Sequence, residues 1–178
     1  VKAVLPTTDI LIFSDFNYGC LPQSLVHEIV EACKSRKVLM VGDSQSSSQV
    51  GDVSRFKDMM LLTPTEREAR LSVGDFNSGL VVLSEKLRKK SRAKNILITL
   101  GAEGLLAHAA KKTNEEWLTD RLPALNTAPK DTAGAGDSLL ACCSLSLAVG
   151  ADIWQSMYLG SIASACQVRR IGNIPLSR

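Results

Sequence analysis

The residues best suited to chemistry in this 178-residue chain are Asp131-Thr132-Ala133-Gly134-Ala135-Gly136-Asp137, which stand directly before the apolar run LLACCSLSLAV. Glycine and alanine permit unusual backbone angles there and keep side chains out of the way of an approaching ligand. A helix opening at that point leaves the N–H groups of its first turn unpaired at the positive end of its dipole, which makes a place for an anion. A phosphoryl group in transfer is such an anion. Its transfer needs positioning, charge stabilisation and a group that takes the proton of the attacking oxygen, and Asp137 has the reach and the chemistry. The same residues also read as a plain helix start, with Asp137 as N-cap and the glycines in a tight turn without a ligand.

Other segments have chemical readings beside structural ones. In Leu62-Thr63-Pro64-Thr65-Glu66-Arg67-Glu68-Ala69, proline follows an apolar run and Glu68 stands three residues beyond Thr65, a spacing that predicts a capping box opening a helix. Ile98 to Gly104 predicts a strand–turn–strand corner whose Gly101 and Gly104 permit the bend. The small residues Gly160 to Ala165 suit close packing of a buried helix. His27 and His108 have no Cys or carboxylate at metal-ligand spacing, and the chain holds neither a GxxxxGK[ST] phosphate loop nor a GxGxxG after a strand. Cys20, Cys33, Cys142, Cys143 and Cys166 include no CxxC pair and read as free, mostly buried thiols in a reducing compartment.

The elements that must position these residues follow from periodicity. Short continuous apolar runs, Ile10 to Phe13, Val38 to Val41, Met59 to Leu62, Ile96 to Leu100 and Leu105 to Ala107, predict strands of a mostly parallel sheet buried on both faces. Between them, Leu25, Ile29 and Cys33 recur at helical spacing in a crossover helix, and a second helix is predicted from about Asn77 to Lys90. The basic end of that helix, Lys86 to Lys90, reads as a solvated face that complements the C-terminal dipole. After Asp137 a helix apolar nearly all round must be buried, with the next helix, about Ile153 to Val168, as its cover. Strands alternating with helices predict a layered α/β fold that holds ligands outside the carboxyl ends of its strands. The serine-rich stretch Ser44 to Gln49 is predicted to be a flexible loop.

Composition narrows the partners. The chain is 45% apolar and 22% charged, as expected of a globular domain with a real core. A net charge of +3 and 4% aromatic residues do not call for nucleic acid. No apolar run reaches the roughly 20 residues of a membrane span and no secretory pattern is visible, so neither membrane nor export is expected and the reading is cytoplasmic. The chain starts at Val1 and enters a strand-like run almost at once, which suggests the later part of a longer protein.

Asp131 to Asp137 resembles the DTxGAGD motif of the PfkB, or ribokinase-like, carbohydrate kinases. Thr63 to Ala69 is similar to that family's TPNxxEA segment, with Thr65 in the usual place of asparagine, and Thr99 to Gly104 is similar to its TxGxxG element. Ser14 to Gly19, followed by the strand ending at Asp43, resembles the heptose-phosphate kinase branch, although Tyr18 and Ser44-Gln45 stand where basic residues are usual. The resemblance implies a three-layer α/β fold, a mostly parallel central sheet flanked by helices, without the family's N-terminal strands and β lid. Residues 1–178 would be the C-terminal nucleotide-binding and catalytic part of one kinase domain. It further implies ATP and Mg2+, with Asp137 as base, Gly134, Ala135 and Gly136 as anion hole, Glu68 toward the metal, and Thr99, Gly101, Gly104, Thr132 and Ser161 toward the nucleotide. The substrate would be a sugar or sugar-phosphate, and a homodimer is compatible with it. A non-catalytic nucleotide-binding or regulatory module, or a kinase acting on a nucleoside or vitamin alcohol, stays open beside this reading.

Overall fold

The computed structural model describes residue 1 and residues 3–46, 49–110 and 117–176. Six strands, β1 (Ile10–Asp15), β2 (Leu39–Ser44), β3 (Leu61–Leu62), β4 (Asn95–Thr99), β5 (Leu105–Ala110) and β6 (Trp117–Leu122), lie side by side in chain order. The first four pair in parallel, and β5 and β6 are antiparallel to their neighbours. Helices α1 (Gln23–Arg36), α2 (Glu66–Val73) and α3 (Leu80–Ser91) cover one face, and α4 (Ala135–Ala148) and α5 (Ile153–Gln167) cover the other.

Successive side chains of a strand point to opposite faces, so a sheet covered on both sides needs unbroken apolar runs. Met40, Leu62, Ile96 and Ile98 enter the layer shared with Val26, Val30, Leu83 and Leu87. Their neighbours Val41, Leu61 and Leu97 enter the layer shared with Leu139, Leu140, Cys143 and Met157. The expected three-layer α/β architecture is therefore present.

Several boundaries differ from expectation. Met59 is fully buried, yet only Leu61 and Leu62 of its run join the ladder. β6 has no apolar run to betray it, because it lies at the sheet's end with Leu118, Asp120 and Arg121 exposed. The serine-rich stretch is not simply a flexible loop: Ser44 closes β2, and Ser46 is buried, its amide donating to Glu68 Oε1 at 2.8 Å. Residues 47 and 48 of that stretch lie outside the described residues.

The basic end of α3 is solvated as expected, with Lys86 paired to Asp75, and Arg88 and Lys89 to Glu85. The cysteines are free, but only Cys33 and Cys143 are buried and Cys20 is exposed. His108 is a core residue, its ring bonded to Thr119 and Glu85. Among the described residues no helix is long and apolar enough to cross a membrane.

Candidate active site

The carboxyl ends of the parallel strands bring polar residues to one rim of the sheet. Asp15 ends β1 as Asp43 nears the end of β2, and Thr63 follows β3. Asp15 is buried and bridged to Arg55 at 2.6 Å, and Arg55 also donates to the Leu21 carbonyl. α2 begins at the same rim through the expected capping box: Thr65 Oγ1 accepts from the Glu68 amide at 3.2 Å, and Glu68 Oε2 accepts from the Thr65 amide at 2.8 Å. The Thr65 hydroxyl also donates to Glu68 Oε2 at 2.8 Å, so Glu68 is buried with both oxygens engaged.

β4 reaches the rim at Thr99, whose amide donates to the Pro64 carbonyl and so ties the strand to the start of α2. The corner that follows is a short 3-10 turn, Gly101–Glu103, closed by Gly104. Gly104 has φ +92°, and a Cβ there would stand 2.1 Å from the Leu122 carbonyl oxygen, so glycine is required. Gly101 also has a positive φ, but a Cβ there would meet nothing.

The third contributor is the segment before α4. Asp131 Oδ1 accepts from the Ala133 amide and Oδ2 from the Gly172 amide, contacts that hold this carboxyl below the ordinary range. The chain then turns through Gly134, which has φ +76° and is the N-cap of α4 without a side-chain cap. Asp137 is thus not an N-cap; it stands in the first turn. The Ala135 amide donates to the Thr132 carbonyl at 3.2 Å, whereas those of Gly134, Gly136 and Asp137 have no acceptor among the described residues. A side chain at Gly136 would project into open space.

These three parts enclose a cavity of about 470 Å³ lined by Thr65, Thr99, Gly101, Gly104, Thr132, Ala135, Gly136 and Ser161, together with apolar residues including Leu105, Leu125 and Val168. Its size and mixed lining suit a small organic ligand. The Ser161 hydroxyl is buried at the wall and has no partner among the described residues. Beside the cavity, Asp43 has its pKa pushed up to about 7, chiefly by burial and then by the negative charges of Glu68 and Asp137. Three carboxyl groups therefore share one neighbourhood. Hard oxygen donors of this kind fit a divalent cation, whose charge would offset that repulsion. No group of three or more His, Cys, Asp or Glu side chains that could hold a metal ion is found among the described residues.

A family model described as pfkB family carbohydrate kinase matches residues 2–177. The chain belongs to the pfkB family. Among curated relatives, the bifunctional protein HldE of Helicobacter hepaticus is 30% identical over 177 residues, covering 97% of this chain and 34% of the relative. The bifunctional protein HldE of Desulfatibacillum aliphaticivorans is 30% identical over 171 residues, covering 94% and 33%. These relatives agree with the heptose branch that Ser14 to Gly19 resembles. Solved pfkB-type kinases share the fold: phosphofructokinase-2 of Escherichia coli superposes with a TM-score of 0.78 at 17% identity, covering 96% of this chain and 55% of that one. Ribokinase of Arabidopsis thaliana, solved with ribose and ATP, gives 0.76 at 18% identity, covering 96% and 53%. The chain spans about a third of the curated relatives it matches and about half of the solved kinases.

Of the residues singled out in the sequence, Thr99, Gly101, Gly104, Thr132, Ala135, Gly136 and Ser161 line the one cavity. Gly134 starts the helix at its wall, and Asp137 and Glu68 are near enough to Asp43 for their charges to raise its pKa. Asp43 is the residue that sequence reasoning passed over. Its place near the end of a predicted parallel strand was the available clue.

Proposed function

We propose that this chain is the C-terminal nucleotide-binding and catalytic part of an ATP-dependent kinase that phosphorylates a hydroxyl of a sugar or sugar-phosphate, a heptose phosphate by its branch. One observation carries the reading. At the start of α4 the Gly136 backbone lines the cavity with its amide free of any acceptor among the described residues, and the next residue, Asp137, carries a carboxylate with no hydrogen-bond or ion-pair partner among them.

In this reading Asp137 takes the proton of the acceptor hydroxyl as its oxygen bonds to the γ-phosphorus. The bond to the β-bridging oxygen breaks, and its electron pair leaves with ADP. The Gly134-Ala135-Gly136 segment offers its unpaired Gly134 and Gly136 N–H groups to the equatorial oxygens of the phosphoryl in flight, where charge stabilisation matters most. Thr99, Gly101, Gly104, Thr132 and Ser161 face the nucleotide. Asp43 and Glu68 would hold Mg2+, which supplies positive charge against the polyphosphate.

The test is Asp137→Asn in the full-length protein, with ADP release measured on a heptose phosphate. Turnover should fall by about two to four orders of magnitude with ATP affinity kept. A loss under about tenfold would remove Asp137 from the role. The complete engagement of Glu68 by Ser46 and Thr65 favours a second reading, nucleotide binding without transfer. ATP binding with no turnover on any sugar in the unaltered full-length protein would support that alternative.

A further inference from the structure

The segment that leads into α4 is gripped by residues that, Val168 apart, do not line the cavity. Gln167 ends α5 with 1% of its surface exposed, an unusual burial for a glutamine unless its amide is fully used. Its Oε1 accepts from Arg170 Nη2 at 2.5 Å, which fixes the orientation of the amide, because a guanidinium can only donate. The Nε2 group is thereby turned toward carbonyls: it donates to Ala133 at 3.2 Å and to Gly172 at 3.4 Å. Ala133 directly precedes Gly134.

The grip has further points. The Lys130 and Asp131 amides donate to the Val168 carbonyl at 2.7 and 3.3 Å, and the Gly172 amide donates to Asp131 Oδ2 at 2.8 Å. The Asn173 side chain lies against Gly134, where a Cβ would stand 2.1 Å from its Oδ1. Arg170 binds the chain beyond through the carbonyls of Ile174 and Pro175. α4 itself contributes no side-chain cap at its start, so the direction in which the Gly134 to Asp137 amides point is set by what holds residues 130–134.

We infer that Gln167, oriented by Arg170, is a positioning residue for the anion hole: through the Ala133 carbonyl it sets the direction of the amides that face the transferred phosphoryl. The inference rests on the proposed role of the Gly134-Ala135-Gly136 segment. It assigns Gln167 no contact with substrate. It also separates two readouts that a merely structural residue would move together, since ground-state nucleotide binding uses the whole cavity wall whereas the phosphoryl in flight uses these amides.

The experiment uses the full-length protein with Mg-ADP alone and with Mg-ADP plus aluminium fluoride, a mimic of the phosphoryl in flight that needs no acceptor. In the parent, aluminium fluoride should tighten ADP binding. In Gln167→Leu and in the isosteric Gln167→Glu, which presents an acceptor to the Ala133 carbonyl, Mg-ADP affinity should stay within about twofold, while the tightening should shrink by about tenfold, the scale of one misdirected hydrogen bond. Equal tightening in folded variants and parent would overturn the inference, as would an equal loss of ADP binding with and without fluoride. Loss of folding in both variants would also overturn it, by making Gln167 a residue that holds the domain together. No tightening in the parent would instead strike the anion-hole reading itself, so the two failures are told apart.

Discussion

Gly104 offers the sharpest test of how the cavity wall is built. At φ +92° and ψ −127° it sits in a region that residues with a Cβ rarely enter, which costs about 2 kcal/mol for alanine. The added methyl would also stand 2.1 Å from the Leu122 carbonyl oxygen and 2.6 Å from Ala124 N. These are backbone atoms of the strand end and loop that form the opposite wall, and displacing them costs about 2 kcal/mol more. Gly101, three residues earlier, has φ +60° and nothing within 4 Å of a built Cβ, so alanine there costs about 1 kcal/mol of backbone strain alone. Gly104→Ala should therefore be about 3 kcal/mol worse than Gly101→Ala, a further drop in melting temperature of about 6–12 °C for a domain of this size. Parallel urea and thermal melts of the two variants, with ATP titrations on each, measure the difference. Variants equal within about 0.5 kcal/mol would show that the Leu122–Ala124 wall yields freely, and the account of the corner would be wrong.

Arg55→Met should destabilise the protein by about 3 kcal/mol, because Asp15 is left buried without its cation; a urea-melt loss below about 1 kcal/mol would deny that the bridge matters. Asp43 keeps its proton to about pH 7 in the folded state against 3.8 when free, so the folded form binds the extra proton and stability falls as pH rises between those values. Asp43→Asn should flatten that slope in melts at about pH 5 and about pH 8 without Mg2+, and an unchanged slope would refute the assignment. β1 forms one edge of the sheet with Ile12 39% exposed, so the 178-residue chain should self-associate or melt poorly. Sedimentation velocity should show association that Ile12→Lys reduces, and a monodisperse, cooperatively melting monomer would contradict it.

The parts of the fold that were legible in the sequence are those where burial dictates residue type on both sides of a strand. Ile96, Leu97 and Ile98 had to be apolar because two helical layers claim alternate side chains, and such a run is visible in any sequence. β6 escaped because an end strand with one solvated face admits Asp120 and Arg121. Within the site, glycines and a capping box have local causes and could be read from a few adjacent residues. Asp43 could not be read that way. Its altered proton affinity arises from Glu68 and Asp137, which are distant in sequence and meet only once the strands are aligned. The ties of Gln167 to Ala133 and of Ser46 to Glu68 were hidden for the same reason, since a polar residue in an apolar helix or a serine-rich loop declares no partner.

The contact between α4 and α5 has a mechanical consequence. A Cβ at Gly160 would stand 2.4 Å from Cys143 Sγ and 2.9 Å from Leu139 Cδ1, so the two helices are wedged together with no slack. Ser161 on one and Gly136 on the other thus ride on a single stiff block. In the proposed reading, an incoming nucleotide cannot widen its berth by prising that block open. In that reading accommodation falls to the loop walls, the turn at Gly101 and Ala102 and the stretch Pro123 to Pro129 that Asn126 ties to the Ala165 carbonyl, which makes them the places where nucleotide preference can drift without disturbing the helix start.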